Sequence, residues 1–148
     1  MTKTWYNMIA AEDNSSVEIS IYDAIGGHDV NAKQFVNELK EINTEKINLR
    51  INSPGGSVID GNAMFNALQR HPAKVVTHID GLAASMASVI AMAGDEIHMA
   101  DNALLMIHNP WTFSMGDADE LRADADLLDK MSTSIVGAYG RSQYEAEE

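Results

Sequence analysis

Hydrophobic and polar positions alternate in Val17-Glu18-Ile19-Ser20-Ile21-Tyr22, the period of a half-buried strand, and Gly26-Gly27 ends the run. The pattern then changes period. Asn31 can cap a helix that carries Phe35, Val36, Leu39 and Ile42 on one stripe. Ile47-Asn48-Leu49-Arg50-Ile51 predicts a second strand, stopped by Ser53-Pro54-Gly55-Gly56. Val58 to Arg70 predicts a helix with Met64, Phe65 and Leu68 inward, ended by His71-Pro72.

Val75 to Ile79 predicts a strand and Asp80-Gly81 a turn, after which Ala83 to Ala93 forms a small-residue helix closed by Gly94. Glu96 to Met99 and Leu104 to Ile107 are short strands. From Gly116 onward Leu121, Leu127, Leu128, Met131 and Ile135 suit a long amphipathic helix. Strands alternating with helices give an α/β fold with a mainly parallel sheet. No repeat or linker divides the chain, so a single domain over 1–148 is expected.

Composition narrows the functional classes. With 148 residues, 45% of them hydrophobic, the chain can bury a core without staples. It has no cysteine, which removes disulfides, thiolate metal sites and cysteine nucleophiles. The net charge of −12 opposes binding to nucleic acid and to anionic lipid. No apolar run approaches the roughly 20 residues of a spanning helix. Met1 to Tyr6 lacks the features of a secretory signal, so a cytoplasmic location is expected.

Three short segments carry chemistry. In Gly81-Leu82-Ala83-Ala84-Ser85-Met86 a serine falls at a strand-to-helix corner, beside N–H groups that lack intrahelical partners. In Asn52-Ser53-Pro54-Gly55-Gly56-Ser57 two glycines allow close backbone approach; an ordinary β-to-α turn is the plainer reading of that segment alone. In Met106-Ile107-His108-Asn109-Pro110 a histidine at a strand end is either a core residue or a general base.

Together, and in this order, the three segments resemble the proteolytic subunit of the Clp serine proteases, the phage and prophage head-maturation proteases most of all. The resemblance runs from about Val17 to the end of the chain. It implies a crotonase-like spiral of ββα units with a long C-terminal helix. Ser85 takes the place of the nucleophile and His108 that of the general base. The backbone N–H groups of Gly56 and Met86 become the oxyanion donors.

The resemblance also implies that extended substrate pairs with a strand at Ser57 and Val58 and with the segment from about Asn109 through Pro110 and Trp111 to Phe113. The reaction is peptide-bond hydrolysis without a cofactor, by subunits assembled into homo-oligomeric rings. For a phage-type member in a bacterial cytoplasm, the substrate is a scaffold or capsid precursor. The family's third catalytic acid is expected beyond Glu148, as though the chain were truncated. The stretch before the first strand is shorter than the arm that docks an ATPase unfoldase, which gives that partner no support.

Two other functions fit parts of the sequence. One is a crotonase-type acyl-CoA enzyme, which would need acidic acid/base residues where Ser85 stands. The other is a catalytically silent assembly module of the same fold. The remaining candidates read as structural. His28, His71, His78 and His98 lack metal-ligand spacing, so no metal site is expected. Trp5, Tyr6 and Trp111 suit either an interface or core and rim packing, and Asp117 to Asp129 a solvated helix face.

Overall fold

A computed structural model describes residues 4–27 and 30–140. His28, Met1 to Lys3 and the final stretch from Gln143 to Glu148 lie outside the described residues. The chain divides into two compact units, Met1–Ile107 and His108–Glu148.

The first unit holds strands β1 (Tyr6–Ala10), β2 (Ser16–Ile21), β3 (Lys46–Ser53), β4 (Lys74–Ala84), β5 (Glu96–Met99) and β6 (Leu104–Met106). Its helices are α1 (Ala32–Glu41), α2 (Val58–Arg70) and α3 (Met86–Ala91). The strands form one sheet in the order β1-β2-β3-β4-β5, with β6 also paired to β4. Only the β1–β2 pair is antiparallel. This is the mixed α/β architecture with a mainly parallel sheet that the alternation of periods predicts.

The two sides of the sheet differ as the period-2 pattern requires. Ile19, Ile21, Ile47, Leu49, Ile51, Val75 and Ile79 are buried in the core with Phe35, Leu39, Met64 and Leu68 of α1 and α2. The Asn31 side chain caps α1 by accepting from Lys33 N–H, and Ser57 caps α2 by accepting from Asp60 N–H. The opposite face carries Ser20, Arg50, His78 and His98 in register across β2, β3, β4 and β5. The rings of His78 and His98 stack 5.2 Å apart, so both are strand-face residues.

One strand is added, one open alternative is resolved toward core packing, and two expectations change. Strand β1 is not visible in the hydrophobic pattern, because Asn7, Ile9 and Ala10 are exposed on a sheet edge while Tyr6 is buried. Trp5 and Tyr6 join Phe35 in an aromatic cluster, and Trp5 Nε1 donates to the Val30 carbonyl at 2.7 Å. Asp80-Gly81 is no turn: β4 continues to Ala84, and α3 begins at Met86 instead of Ala83. The cause is non-local, since Leu82, Ala83 and Ala84 pair with Leu104, Leu105 and Met106. Finally, Ser57 and Val58 start α2 and form no strand.

The second unit is described by an irregular stretch followed by α4 (Ala118–Tyr139). Asp117 and Glu120 form a reciprocal capping box at its start. Ile135 and Ala138 are buried, whereas Leu121 and Leu127, expected on an inward stripe, are exposed. Amphipathicity here marks a face without a cover inside the described chain. No helix among the described residues is long and apolar enough to cross a membrane.

Candidate active site

The site is built where β3 and β4 run out. Beyond Ile51 the two strands lose step: Ile51 faces Ile79, but Ser53 faces Ala83, so two steps on β3 answer four on β4. The extra residues of β4 bulge between Ile79 and Ala83. The exposed Asn52 side chain reaches the bulge and accepts a hydrogen bond from Leu82 N–H at 3.1 Å. A Cβ on Gly81 would lie 2.8 Å from Asn52 Oδ1, so a side chain there would push the Asn52 amide aside.

Past Gly81 the strand delivers Ser85. Its backbone has φ 53° and ψ −126°, a conformation that costs a non-glycine residue about 1–3 kcal/mol. Such strain persists only where the surroundings over-determine it, and here they do. Ser85 N–H donates to the Met106 carbonyl at 2.9 Å, tying the corner to the end of β6. Its carbonyl accepts from Ser88 N–H at 3.0 Å and from the Ser88 hydroxyl. Met86 follows as the first residue of α3, with its side chain buried against Gly61.

The glycine turn is seated on this corner. Gly55 has φ +95°, and a Cβ on it would lie 2.6 Å from the Ala84 carbonyl oxygen, 2.7 Å from Ser85 Cβ and 2.9 Å from Met86 N. Only a bare backbone can come this close. Ser53, fully buried, fixes the turn: its hydroxyl donates to the Asp23 carbonyl at 2.8 Å and accepts from Gly55 N–H at 3.1 Å. Ile25 then bridges the turn, its N–H to the Gly55 carbonyl at 2.8 Å and its carbonyl to Ser57 N–H at 3.1 Å. The bridge spends neither the Gly56 N–H nor the Met86 N–H.

The first unit therefore brings together Ser85, Met86, Gly55 and Gly56. Ser57 and Val58 stand just beyond the turn, as the cap and first residue of α2. His108, Asn109, Pro110 and Trp111 belong to the second unit, in its irregular stretch, with Trp111 73% exposed. Sequence reasoning singled out the segment that holds Asn52 and Ser53 but gave neither a role, and it missed Gly61. An Asn-Ser pair before Pro-Gly-Gly is the available signal for the first two, since short polar side chains serve backbone groups at turns.

The corner thus holds the Ser85 side chain and the Met86 N–H against the bare backbone of Gly55. Comparison with known proteins identifies the family. Residues 3–148 match the family model described as Clp protease. The ATP-dependent Clp protease proteolytic subunit 1 of Synechococcus sp. (strain CC9902) is 37% identical over 101 residues, covering 64% of this chain and 51% of the relative.

The corresponding subunit 1 of Leifsonia xyli subsp. xyli (strain CTCB07) is 34% identical over 114 residues, covering 73% of this chain and 58% of the relative. The chain spans about half the length of the curated relatives it matches. With the family model matched over almost the whole chain, this protein belongs to the Clp protease family.

Proposed function

We propose that the protein is a serine endopeptidase in which Ser85 is the nucleophile and His108 the general base. The observation that carries this reading is the seating of Gly55 against the Ala84-Ser85-Met86 corner, with Ser85 held at a positive φ. Ser85 Oγ attacks the scissile carbonyl carbon while His108 takes the hydroxyl proton. The carbonyl oxygen, now negative, is held by the N–H groups of Gly56 and Met86. Collapse of this adduct breaks the C–N bond, and His108 returns its proton to the departing amine. Water repeats the sequence on the acyl-enzyme and frees Ser85.

The pairing of Ser85 with His108 rests on the resemblance of their two segments, in this order, to the Clp protease family. The substrate class is an extended polypeptide, bound through its backbone by the exposed edges around the glycine turn and the stretch from Asn109 to Phe113. Assembly with further copies of the chain, and a capsid or scaffold precursor as the natural substrate, complete the proposal.

Intact-mass labelling with a fluorophosphonate tests it. One adduct is expected on the full chain, absent in Ser85→Ala and slowed about 10³-fold or more in His108→Ala. An unlabelled chain, or an adduct that survives Ser85→Ala, would overturn the assignment.

A further inference from the structure

Three residues on the face of the sheet that carries Ser20, His78 and His98 form a connected polar group that has no part in the proposed reaction. Arg50 on β3 grips Asp80 on β4 with two donors: Nε to Oδ2 at 2.9 Å, and Nη2 to Oδ1. Tyr22, immediately after β2, donates its hydroxyl to the same Asp80 Oδ2. The guanidinium fork makes this a planar, two-point contact that a point charge cannot reproduce. Its members come from two neighbouring parallel strands and from the residue that follows a third.

Their positions along those strands give the group its meaning. Asp80 is the first residue of the bulge in β4, five residues before Ser85. Arg50 stands five residues before Gly55. Tyr22 stands three residues before Ile25, whose backbone bridges Gly55 and Ser57. Each partner thus sits just upstream of one of the three segments that meet at the candidate site. The bulge needs such a tie. Parallel pairing is re-established only at Ser53 and Ala83, and a slip of one residue in β4 would turn Ser85 to the other side of the sheet.

We propose that the Arg50–Asp80–Tyr22 clamp, together with Asn52 at the bulge, is a positioning device that sets Ser85 in register with Gly55 and Gly56. This inference rests on the reading of Ser85 as nucleophile. Its members are positioning residues: none belongs to the reacting group, and they act through the segments they hold. Other ions on this face do not share the role. Lys74 and Glu96 pair at the far end of β4, distant in sequence from the corner.

The test measures fluorophosphonate labelling of the full chain, resolved into maximal rate and half-saturating concentration, beside amide hydrogen exchange. Asp80→Asn is expected to lower the maximal labelling rate about 10- to 100-fold, the scale of a misplaced reactive group, with little change in half-saturation. Arg50→Lys is expected to retain more rate than Arg50→Met, and Tyr22→Phe to lose about 2- to 3-fold. In Asp80→Asn, the Leu82 and Ser85 amides should exchange about 10-fold faster while those of Leu49 and Ile51 stay unchanged. Lys74→Gln serves as the control and should alter neither readout.

Unchanged exchange at Leu82 and Ser85 in Asp80→Asn overturns the clamp, whatever the labelling shows. So does a loss of labelling that Lys74→Gln reproduces. A wild-type chain that never labels defeats the reading of Ser85, and the exchange measurement still decides whether the clamp holds the corner.

Discussion

From Lys74 to Ile79, β4 is a regular parallel strand, in step with β3 on one side and with β5 on the other. From Asp80 to Ala84 the same strand is out of step with β3 and has exchanged β5 for β6. The first half buries Val75, Thr77 and Ile79 and so contributes to the core. The second half buries only alanines, gains support from side chains that reach its backbone, and ends in a strained serine. One strand thus separates two tasks, and mutations in its halves should report on different quantities.

The largest effect is expected at the turn that receives the second half. Gly56 has φ +150°, and a Cβ on it would lie 2.2 Å from the Ile25 carbonyl oxygen and 2.8 Å from Ile25 N. Gly56→Ala must therefore break the bridge to Ile25. Stability is expected to fall by about 4 kcal/mol or more in urea unfolding, with labelling of Ser85 abolished. A stable, labelled Gly56→Ala would show that the turn tolerates a side chain and that its seating is not needed.

Next comes the regular half. Ile79→Ala removes a side chain only 2% exposed, and a cost of about 2–5 kcal/mol is expected from denaturant melts. Labelling of the remaining folded molecules should stay near wild type. Loss of labelling in proportion to Gly56→Ala would erase the distinction between the halves.

A smaller effect is expected from Asn52→Ala, which strips Leu82 N–H of its acceptor. Partial exposure to water limits the cost to about 1 kcal/mol. Labelling should fall by more than that loss of stability accounts for, the reverse of Ile79→Ala. Equal losses in both readouts would make Asn52 a plain structural residue.

The smallest effect is a pH dependence in the regular half. Burial first, then the Arg50 guanidinium and the adjacent His98, hold the His78 imidazole below its usual range; Lys46 adds to this and Asp80 opposes it. Between its folded pKa and its unfolded value near 6.5, the unfolded chain binds the proton more readily than the fold does. The stabilising contribution is therefore complete above about pH 6.5 and is lost as the pH falls from there toward the folded pKa. His78→Gln should flatten the decline of Tm between about pH 7 and pH 5. An unaltered slope would remove His78 from that account.

The contrast also explains what could be read from residue order alone. The helix Val58–Arg70 and the strand Glu96–Met99 agree with expectation to the residue, because their periods and caps are local. The Ser-Pro-Gly-Gly turn and Ser85 could be singled out only together with the His108 segment, through their order along the chain, since alone each reads as an ordinary turn or cap. The extension of β4 could not be read. Its reason is the pairing of Leu82 to Ala84 with β6, about twenty residues downstream. The clamp was equally hidden, because Tyr22, Arg50 and Asp80 are separated by 28 and 30 residues and look like ordinary solvent-face positions.

The bond from Ser85 N–H to the Met106 carbonyl changes how positional error propagates. Along the backbone, Ser85 and Met106 are separated by 21 peptide links, and small deviations at each link would compound. Through the hydrogen bond the same two residues are one contact apart. Thermal breathing in β5 and the loop after it is therefore short-circuited at the corner. The helix α3 is not bypassed in this way, because Ser88 holds the Ser85 carbonyl directly.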